Sequence, residues 1–266
     1  MKKKIIALCL IVALAATAVI GGTLAYFTDT DKAVNTFTVG GVAIDLIEQQ
    51  SNADHTDFVP YAEGDKLLMP IVGSAQGEKY PNGQPKAVNY IDKVVTVTNT
   101  GKSAAYVRAY FAIPSALDNG YSTFAAGLNI LHFNFGHNLT TGASTNGIEW
   151  NWKQANGHDK YFECEIDGVA YNVYYADYYQ VLPAGATTEQ FVSGVYLDKN
   201  VDMKDGKYYD MRSPEIELPI LSGQVKCPVF AVAVQADGFD NATDAVDAAF
   251  GAKYNPWGTP VTFWYE

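Results

Sequence analysis

The chain has 266 residues, of which 18 are basic and 29 acidic, and its formal net charge is −11. Such an acidic chain argues against nucleic acid or anionic lipid as the main partner, because both require clustered lysine and arginine. Its 18 tyrosines and 13 phenylalanines, with few charged residues, favour β-structure over helices.

The N-terminus has the pattern of an export signal. Three lysines at positions 2–4 precede an apolar run over residues 5–20, which is short for a bilayer span. Small residues at Thr23 and Ala25 predict cleavage between Ala25 and Tyr26. An uncleaved membrane anchor is the alternative. Cleavage would remove the three lysines and leave a domain-sized chain with a charge near −14 and no stable membrane span.

Residues 26–40 form a predicted N-terminal arm ahead of a domain covering residues 41–266. The arm is polar apart from its aromatic ends at Tyr26, Phe27 and Phe37, and its last residues, including Val39, are compatible with a strand. Gly40 and Gly41 follow and predict a hinge or bulge before the first strand of the domain, where apolar residues alternate at 42, 44 and 46.

The next segments predict a loop and then a hairpin. Residues 49–85 are rich in glycine and proline and indicate a loop with a short apolar piece at 67–72. Residues 95–98 alternate valine and threonine, residues 99–102 carry turn chemistry, and a second strand follows. The alternation predicts one inward face and an outward face, the inward residues being Ala105, Val107, Ala109, Phe111 and Ile113 and the outward ones Tyr106, Arg108 and Tyr110.

The remaining elements are mostly strands. Residues 118–147 are predicted to be an insertion around an apolar stretch at 128–135. Asp167 and Gly168 are predicted to form a two-residue hairpin turn, and Pro228 indicates an edge or a bulge in its strand. Alternating or apolar runs predict six further strands, over residues 148–154, 160–166, 169–181, 188–197, 224–235 and 260–265.

One short helix is predicted over residues 241–250, capped by Asp240 or Asn241 and ended by Gly251. Many short strands joined by glycine and proline turns, without alternating helices, indicate an all-β, two-sheet sandwich with loop insertions.

Two cysteines remain after the predicted cleavage. Cys164 and Cys227 each lie in an alternating run, so both could face an interior. An exported protein permits a disulfide between them. Two buried free thiols are the alternative, because a sequence does not give the distance between the Cα atoms.

Two segments resemble the TasA/camelysin family, whose members are secreted proteins of Gram-positive bacteria and include biofilm-matrix fibre subunits. The first resembles the SipW-dependent signal and first strand of that family, in the runs GGTLAYFTD (21–29), NTFTVG (35–40) and VAIDL (42–46). The second is AVQADGFD at 233–240. The resemblance implies a jelly-roll sandwich, cleavage by a SipW-type peptidase, assembly by donor strands, other matrix proteins as further partners, and an extracellular or cell-surface location.

The histidine pattern argues against an enzyme of the zincin type, although camelysin-like relatives are described as metalloproteases. A zincin needs His-Glu-x-x-His on a helix. The four histidines, at 55, 132, 137 and 158, do not form this motif and are predicted to be surface or loop residues. No catalytic residue, metal ligand or cofactor is therefore predicted.

Weak calcium binding stays open. Residues 198–202 begin like an EF-hand loop, but Met203 and Tyr209 replace the required glycine and glutamate. A second acidic cluster at the helix start is explained by the helix dipole. The carboxylates that could form a weak extracellular site are Asp29, Asp31, Asp237, Asp240, Asp244 and Asp247.

The sequence supports three hypotheses of function. The first is a structural subunit whose arm, released by cleavage, adds as a strand to a second copy and so builds a head-to-tail homopolymer; its donor residues are Tyr26, Phe27, Phe37, Val39, Gly40 and Gly41. In the alternative arrangement the arm folds back on its own sandwich and the protein stays monomeric. The other hypotheses are a camelysin-like secreted metalloprotease and a monomeric adhesin, in which the tyrosines of residues 171–179 stack on sugars.

Overall fold

The computed structural model describes residues 28–32, 41–54, 56–62, 68–72, 87–118, 129–134, 150–152, 160–212 and 217–264. These residues form fourteen strands, one α-helix, α1 (Ala242–Phe250), and two 3-10 helices, η1 (Ser115–Leu117) and η2 (Pro219–Ser222). The strands are β1 (Thr28–Lys32), β2 (Ile44–Ser51), β3 (Phe58–Pro60), β4 (Ile91–Asn99), β5 (Ala105–Pro114), β6 (Leu131–Phe133), β7 (Trp150–Asn151), β8 (Tyr161–Ile166), β9 (Val169–Tyr178), β10 (Val192–Leu197), β11 (Val201–Lys204), β12 (Lys207–Asp210), β13 (Val229–Gln235) and β14 (Val261–Trp264).

Two antiparallel sheets form the sandwich, so the predicted all-β class is confirmed. The larger sheet has the order β1-β13-β5-β9-β8-β14, with β7 also paired to β9. The smaller sheet has the order β3-β2-β4-β10-β6, and β11 and β12 form a separate two-stranded ribbon. This arrangement places β1 and β14 at the two edges of the larger sheet.

The main core lies between the two sheets. As predicted, alternate residues of β5, from Ala105 to Ile113, face this core and are fully buried. They pack against the smaller sheet, for example through the edge-to-face contact of Phe111 with Phe133 (5.1 Å between ring centres). Each large apolar side chain buried in this way stabilises the fold by about 1.5–3 kcal/mol.

The outer face of the larger sheet is covered, which the alternation of β5 did not predict. Tyr106, Arg108 and Tyr110 lie on the outward face, as predicted, yet all three are buried. Helix α1 and the segment after it, with Tyr254 and Trp257, lie across this face and form a second apolar cluster. The alternation itself is correct, but a single-strand pattern does not show that a distant segment will cover the outer face.

Strands β4 and β5 do not form the predicted hairpin, because they belong to different sheets. The Asn99 side chain accepts from Gly101 N–H and donates to the carbonyls of Ser103 and Leu182. The backbone N–H groups of residues 100–103 bond to carbonyls of residues 41–43. The turn residues therefore make a connection that crosses from one sheet to the other.

Two local predictions are confirmed. Asp167 (φ 49°) and Gly168 (φ 80°) form the turn between β8 and β9, where the left-handed backbone suits these residue types. Helix α1 is capped by Asn241, whose side chain accepts from Asp244 N–H at 2.9 Å, and it ends at Gly251.

Other segments differ from the prediction. Part of the predicted insertion, β6, is a buried strand that pairs with β10 and completes the smaller sheet. The ribbon of β11 and β12, which turns at Asp205 and Gly206, lies in a segment for which no strand is predicted. Pro228 directly precedes β13, so the strand begins after it and its missing N–H is not needed in the ladder.

Candidate functional site

The first strand that the structure describes covers the edge of the larger sheet. Strand β1 pairs antiparallel with β13, with Thr28 opposite Val234 and Lys32 opposite Phe230. The sequence of β1 is Thr-Asp-Thr-Asp-Lys, which contains no apolar residue. For these five residues, the chain folds back on its own domain.

Strand β13 is apolar and buried although only β1 separates it from the sheet edge. Its inner face, including Ala231 and Ala233, belongs to the core between the sheets. Its outer face, with Phe230, Val232 and Val234, packs under helix α1. All five of these residues are at most 3 % exposed. We call the edge of β13 that β1 occupies, opposite β5, the acceptor edge.

A buried cluster of charges fixes helix α1 above this part of the sheet. Arg108 Nε donates to Asp177 Oδ1 at 2.5 Å, and Lys160 Nζ donates to Asp177 Oδ2 at 3.0 Å. The helix contributes Thr243, whose hydroxyl donates to Asp177 (2.8 Å), and Asp247, which accepts from Arg108 (2.9 Å). Arg108 lies opposite Val232 of β13, so the cluster holds the helix beside the acceptor edge.

The electrostatics of this cluster are set by burial and by opposite charges. Burial alone would raise the pKa of the Asp177 carboxyl, but the charges and hydrogen bonds of Arg108 and Lys160 outweigh it and lower the pKa below its ordinary 3.8. Burial similarly opposes the charge of Arg108, yet its carboxylate partners raise the pKa of the guanidinium. Asp177 and Arg108 are therefore both charged at neutral pH.

The arm joins the domain at a fixed point, residues 41–43, which we call the arm root. The carbonyl oxygens of Gly41 and Ala43 accept four hydrogen bonds of 2.8–3.0 Å from the backbone N–H groups of residues 100–103. A Cβ atom at Gly101 would lie 2.6 Å from both Ala43 N and Gly41 O, so only glycine permits this contact. Gly41 is buried and anchored rather than hinge-like, which corrects that part of the prediction.

The other predicted arm residues lie outside the described residues. These are the cleavage site at Ala25 and Tyr26 and the donor residues Phe27, Phe37, Val39 and Gly40. The charge cluster was not predicted from the sequence pattern. The available signal was Arg108, a permanently charged residue in the middle of an otherwise apolar and aromatic strand.

The two cysteines are free thiols, so the structure has the second of the two predicted alternatives. Cys164 belongs to the cluster on the outer face of the larger sheet, whereas Cys227 packs against the core between the sheets. The sheet itself separates the two side chains. Burial raises the pKa of both thiols, that of Cys227 to about 12, so neither is an activated nucleophile.

One histidine lies among the described residues, and its position differs from the prediction. His132 is predicted to be a surface or loop residue, but it lies in β6 and is 4 % exposed. It stacks on Tyr196 and its Nε2 lies 3.2 Å from Asp198 Oδ2. The remaining three histidines, at positions 55, 137 and 158, lie outside the described residues.

Three of the carboxylates considered for calcium, Asp198, Asp237 and Asp244, accept local hydrogen bonds. Asp198 accepts from the backbone and side chain of Asn200, as in a simple turn. Asp244 and Asp237 accept from the side chains of Asn241 and Gln235. Within the described ranges, no group of three or more His, Cys, Asp and Glu residues could hold a metal ion.

The tyrosines of β9 form core on both sides of the sheet. Tyr174 and Tyr178 face the core between the sheets, and Tyr171 and Tyr175 face the outer cluster. Tyr179, just after the strand, is 68 % exposed. The strand therefore offers no continuous aromatic surface for sugar stacking.

Comparison with known proteins shows a similarity to a protein family. The model of a family described as camelysin metallo-endopeptidase matches residues 1–66, which include the predicted signal and arm, the arm root, β2 and β3. No curated protein and no solved structure gives a significant match. The resemblance to the TasA/camelysin family is thus confirmed, and it rests on the N-terminal quarter of the chain.

Proteins of this family are surface or secreted proteins. In the part of the chain that the structure describes, no helix has the length and apolar character needed to cross a membrane. The family description also names a metallo-endopeptidase activity. Of the four histidines, the structure places His132, whose ring stacks on Tyr196 and whose Nε2 lies 3.2 Å from Asp198 Oδ2.

Proposed function

We propose that the protein is an exported structural subunit that builds an extracellular homopolymer by exchanging its N-terminal arm between copies. The observation that carries the proposal is the pairing of β1 with β13. A buried apolar strand lies next to a sheet edge, and a five-residue polar strand from the arm covers it.

The bonds of β1 can be formed equally well between two copies. Aspartate is depleted in strands, and a strand without apolar side chains is held mainly by main-chain hydrogen bonds. The same segment of a second copy supplies the same bonds. When the β1 strand of a second copy replaces the molecule's own β1, strand β13 stays covered. If each copy donates its β1 to a different neighbour, the series of copies does not close into a ring and a filament forms.

The resemblance to the TasA/camelysin family supports this proposal, because donor-strand assembly is what the resemblance implies. The match includes the arm and the arm root, which are the parts that exchange requires. A SipW-type peptidase that releases the N-terminus, and other matrix proteins as partners, belong to the same proposal.

Electron microscopy of two purified forms tests the proposal. Protein beginning at Tyr26 is expected to form filaments, whereas protein beginning at Gly41 retains the arm root but lacks the arm and is expected to form none. Circular dichroism and size-exclusion chromatography of the shorter form check that it is folded. Filaments of equal abundance from both forms would refute the arm as the donor.

A secreted metallo-endopeptidase is the second candidate, and the description of the matching family favours it. The experiment is casein cleavage by protein purified away from host proteases, with and without a chelator. Chelator-sensitive cleavage that follows the protein through two different columns would support this candidate. Casein-cleaving activity that elutes from a column in other fractions than the protein would argue against this candidate.

A further inference from the structure

We infer that two buried side chains, those of Asn134 and Trp150, close one edge of the smaller sheet to strand addition. Strand β6 pairs with β10 over only three residues, 195–197. Along the preceding residues, 189–193, backbone groups bond to the side chains of Asn134 and Trp150. We call these two side chains the edge seal. The inference is independent of the proposed function, because it concerns the sheet that β1 does not join.

The side-chain amide of Asn134 takes the place of a strand residue beside β10. Its Nδ2 donates to the Phe191 carbonyl at 3.0 Å, and its Oδ1 accepts from the Ser193 N–H at 2.8 Å and from Ser193 Oγ at 3.2 Å. One donor and one acceptor thus meet the backbone on both sides of Val192, as the peptide groups of a neighbouring strand would do. Asn134 is 1 % exposed, so these bonds are shielded from water.

The backbone of Asn134 explains why a side chain makes these bonds. The pairing of β6 with β10 ends with Phe133 opposite Val195. Asn134 has a φ of 46°, in the left-handed region that asparagine adopts more readily than most residues. A left-handed residue does not continue a ladder of extended strands, so the main chain stops pairing with β10 at this point. The amide then supplies the partners for Phe191 and Ser193.

Trp150 extends the edge seal by one further step along the chain. Its Nε1 donates to the Glu189 carbonyl at 3.1 Å, and its indole packs on Phe191 with 4.9 Å between ring centres. Trp150 lies in β7, which pairs with β9 of the larger sheet, so its side chain reaches from one sheet to the other. Glu189, Phe191 and Ser193 are alternate residues, and alternate residues of an extended chain present their backbone groups along the same edge.

The edge seal has a consequence for contacts between copies. A sheet edge whose N–H and C=O groups are free is a template for pairing with another chain. Here the carbonyls of Glu189 and Phe191 and the N–H of Ser193 are already bonded within the molecule. A strand of a second copy would have to break these bonds before it could pair. The edge seal therefore prevents copies from associating through this edge of the smaller sheet.

The test requires a protein in which the arm cannot be exchanged. Thr30 of β1 lies opposite Val232 of β13, so Thr30→Cys with Val232→Cys can tie β1 to its own domain by a disulfide. The double variant of the protein beginning at Tyr26 is oxidised, and its monomers are isolated by size-exclusion chromatography. We call this form the locked protein. Any association that it then shows does not involve the arm.

The first comparison is Asn134→Ala against Asn172→Ala in the locked protein. Asn172 is a matched control, because it is also buried and its side chain makes three hydrogen bonds, all to Ser115 and Asp118 outside the strands. Asn134→Ala is expected to form dimers and larger species in sedimentation velocity, whereas Asn172→Ala should stay monomeric. Exchange of the Ser193 amide hydrogen should become about tenfold faster in Asn134→Ala only.

The second comparison is Trp150→Phe against Trp152→Phe, which keeps the test decisive if Asn134→Ala does not fold. Both tryptophans are at most 2 % exposed and both pack on Phe191. The Nε1 of Trp152 has no hydrogen-bond partner in the described part of the chain, so Trp152→Phe removes an indole without removing a bond. Trp150→Phe removes the bond to Glu189 and is expected to increase association of the locked protein, whereas Trp152→Phe should not.

The outcomes separate this inference from the proposed function. Association of Asn134→Ala and Trp150→Phe, with monomeric controls, would support the edge seal. Four variants that all stay monomeric, or that all associate to the same extent, would overturn it. Filament formation by the protein that is not locked is a separate result, and its absence would refute the proposed function while leaving the edge seal intact.

Discussion

Asp177 is the residue whose environment depends most on charge. Its carboxylate is 2 % exposed and accepts from Arg108, Lys160 and Thr243. Replacing it by asparagine removes the carboxylate that Lys160 contacts and leaves Arg108 with Asp247 alone, so we expect Asp177→Asn to lower the free energy of unfolding by about 3 kcal/mol at pH 7. Urea denaturation measures the change.

The matched control is Asp237→Asn, an exposed carboxylate for which a change within about 0.5 kcal/mol is expected. The pH dependence is a second readout. The pKa of Asp177 is lower in the folded than in the unfolded chain, so its stabilisation is complete above the ordinary value of 3.8 and is lost as the pH falls through the folded-state value. The difference in unfolding free energy between the parent protein and Asp177→Asn should therefore become smaller in acid. A constant difference from pH 7 to pH 3 would contradict the ionised cluster.

Gly101 tests the arm root. An added methyl group would lie 2.6 Å from backbone atoms of Ala43 and Gly41, so Gly101→Ala should destabilise the fold by about 2 kcal/mol or more. Gly223→Ala is the control, because its Cβ would meet no atom closer than 3.8 Å. Thermal unfolding of both variants gives the comparison, and equal midpoints would mean that the arm root does not need glycine.

At the residue scale, the sequence predicts local backbone conformation better than it predicts which groups surround a side chain. Asn241, Asp167 and Gly168 are predicted correctly, because caps and turns depend on neighbours in the chain. The cluster of Arg108 with Asp177 and Asp247 is not predictable in this way. Its members come from three distant segments, and only the tertiary fold brings them together.

The arm is the element on which the account depends. Without β1, the backbone groups along the edge of β13 lose their partners and its apolar side chains become exposed. We expect protein beginning at Gly41 to unfold at a lower urea concentration than protein beginning at Tyr26. A synthetic peptide of residues 26–40, added in excess, should restore the midpoint because binding to the folded state stabilises it.

A peptide with the same composition in scrambled order is the control for this rescue. Stabilisation by both peptides would indicate nonspecific binding. If neither the truncation nor the peptide changes the urea midpoint of unfolding, then β1 does not stabilise the domain at the acceptor edge.

The strands differ in how well the sequence predicts their partners. The inward face of β5 and the hairpin of β8 and β9 follow from alternation and a two-residue turn. The sheet membership of β4 and β5 does not follow, because residues 99–103 bond to residues 41–43 and to Leu182 instead of closing a hairpin. Strand β6 is missed because three residues are too few to show a period.

The charge of the whole molecule governs how closely copies approach. In the proposed assembly, subunits with a charge near −14 after the predicted cleavage repel one another, over a screening length of about 30 Å in 10 mM salt and about 8 Å in 150 mM salt. We therefore expect the lag before filament growth to shorten several-fold between these salt concentrations. Light scattering follows the growth, and a lag independent of sodium chloride would show that charge repulsion does not limit assembly.

The architecture of the molecule links the two sheets to one another and to the arm. The larger sheet provides the acceptor edge, helix α1 covers its outer face, and the connection between β4 and β5 anchors the arm root beside it. The class of fold could be predicted from strand and turn patterns. The relation between arm root and acceptor edge could not, because it depends on which sheet each strand joins.

The most direct measurement of the central claim is a disulfide between β1 of one copy and β13 of another. Thr30 lies opposite Val232, and directly opposed residues of antiparallel strands are close enough to be bridged. Mature Thr30→Cys and Val232→Cys subunits are mixed, allowed to assemble and oxidised, with the double variant and the parent protein as controls. The account predicts covalent dimers between the two single variants in the mixture. Internal closure of the double variant, together with a mixture that stays entirely monomeric, would contradict it.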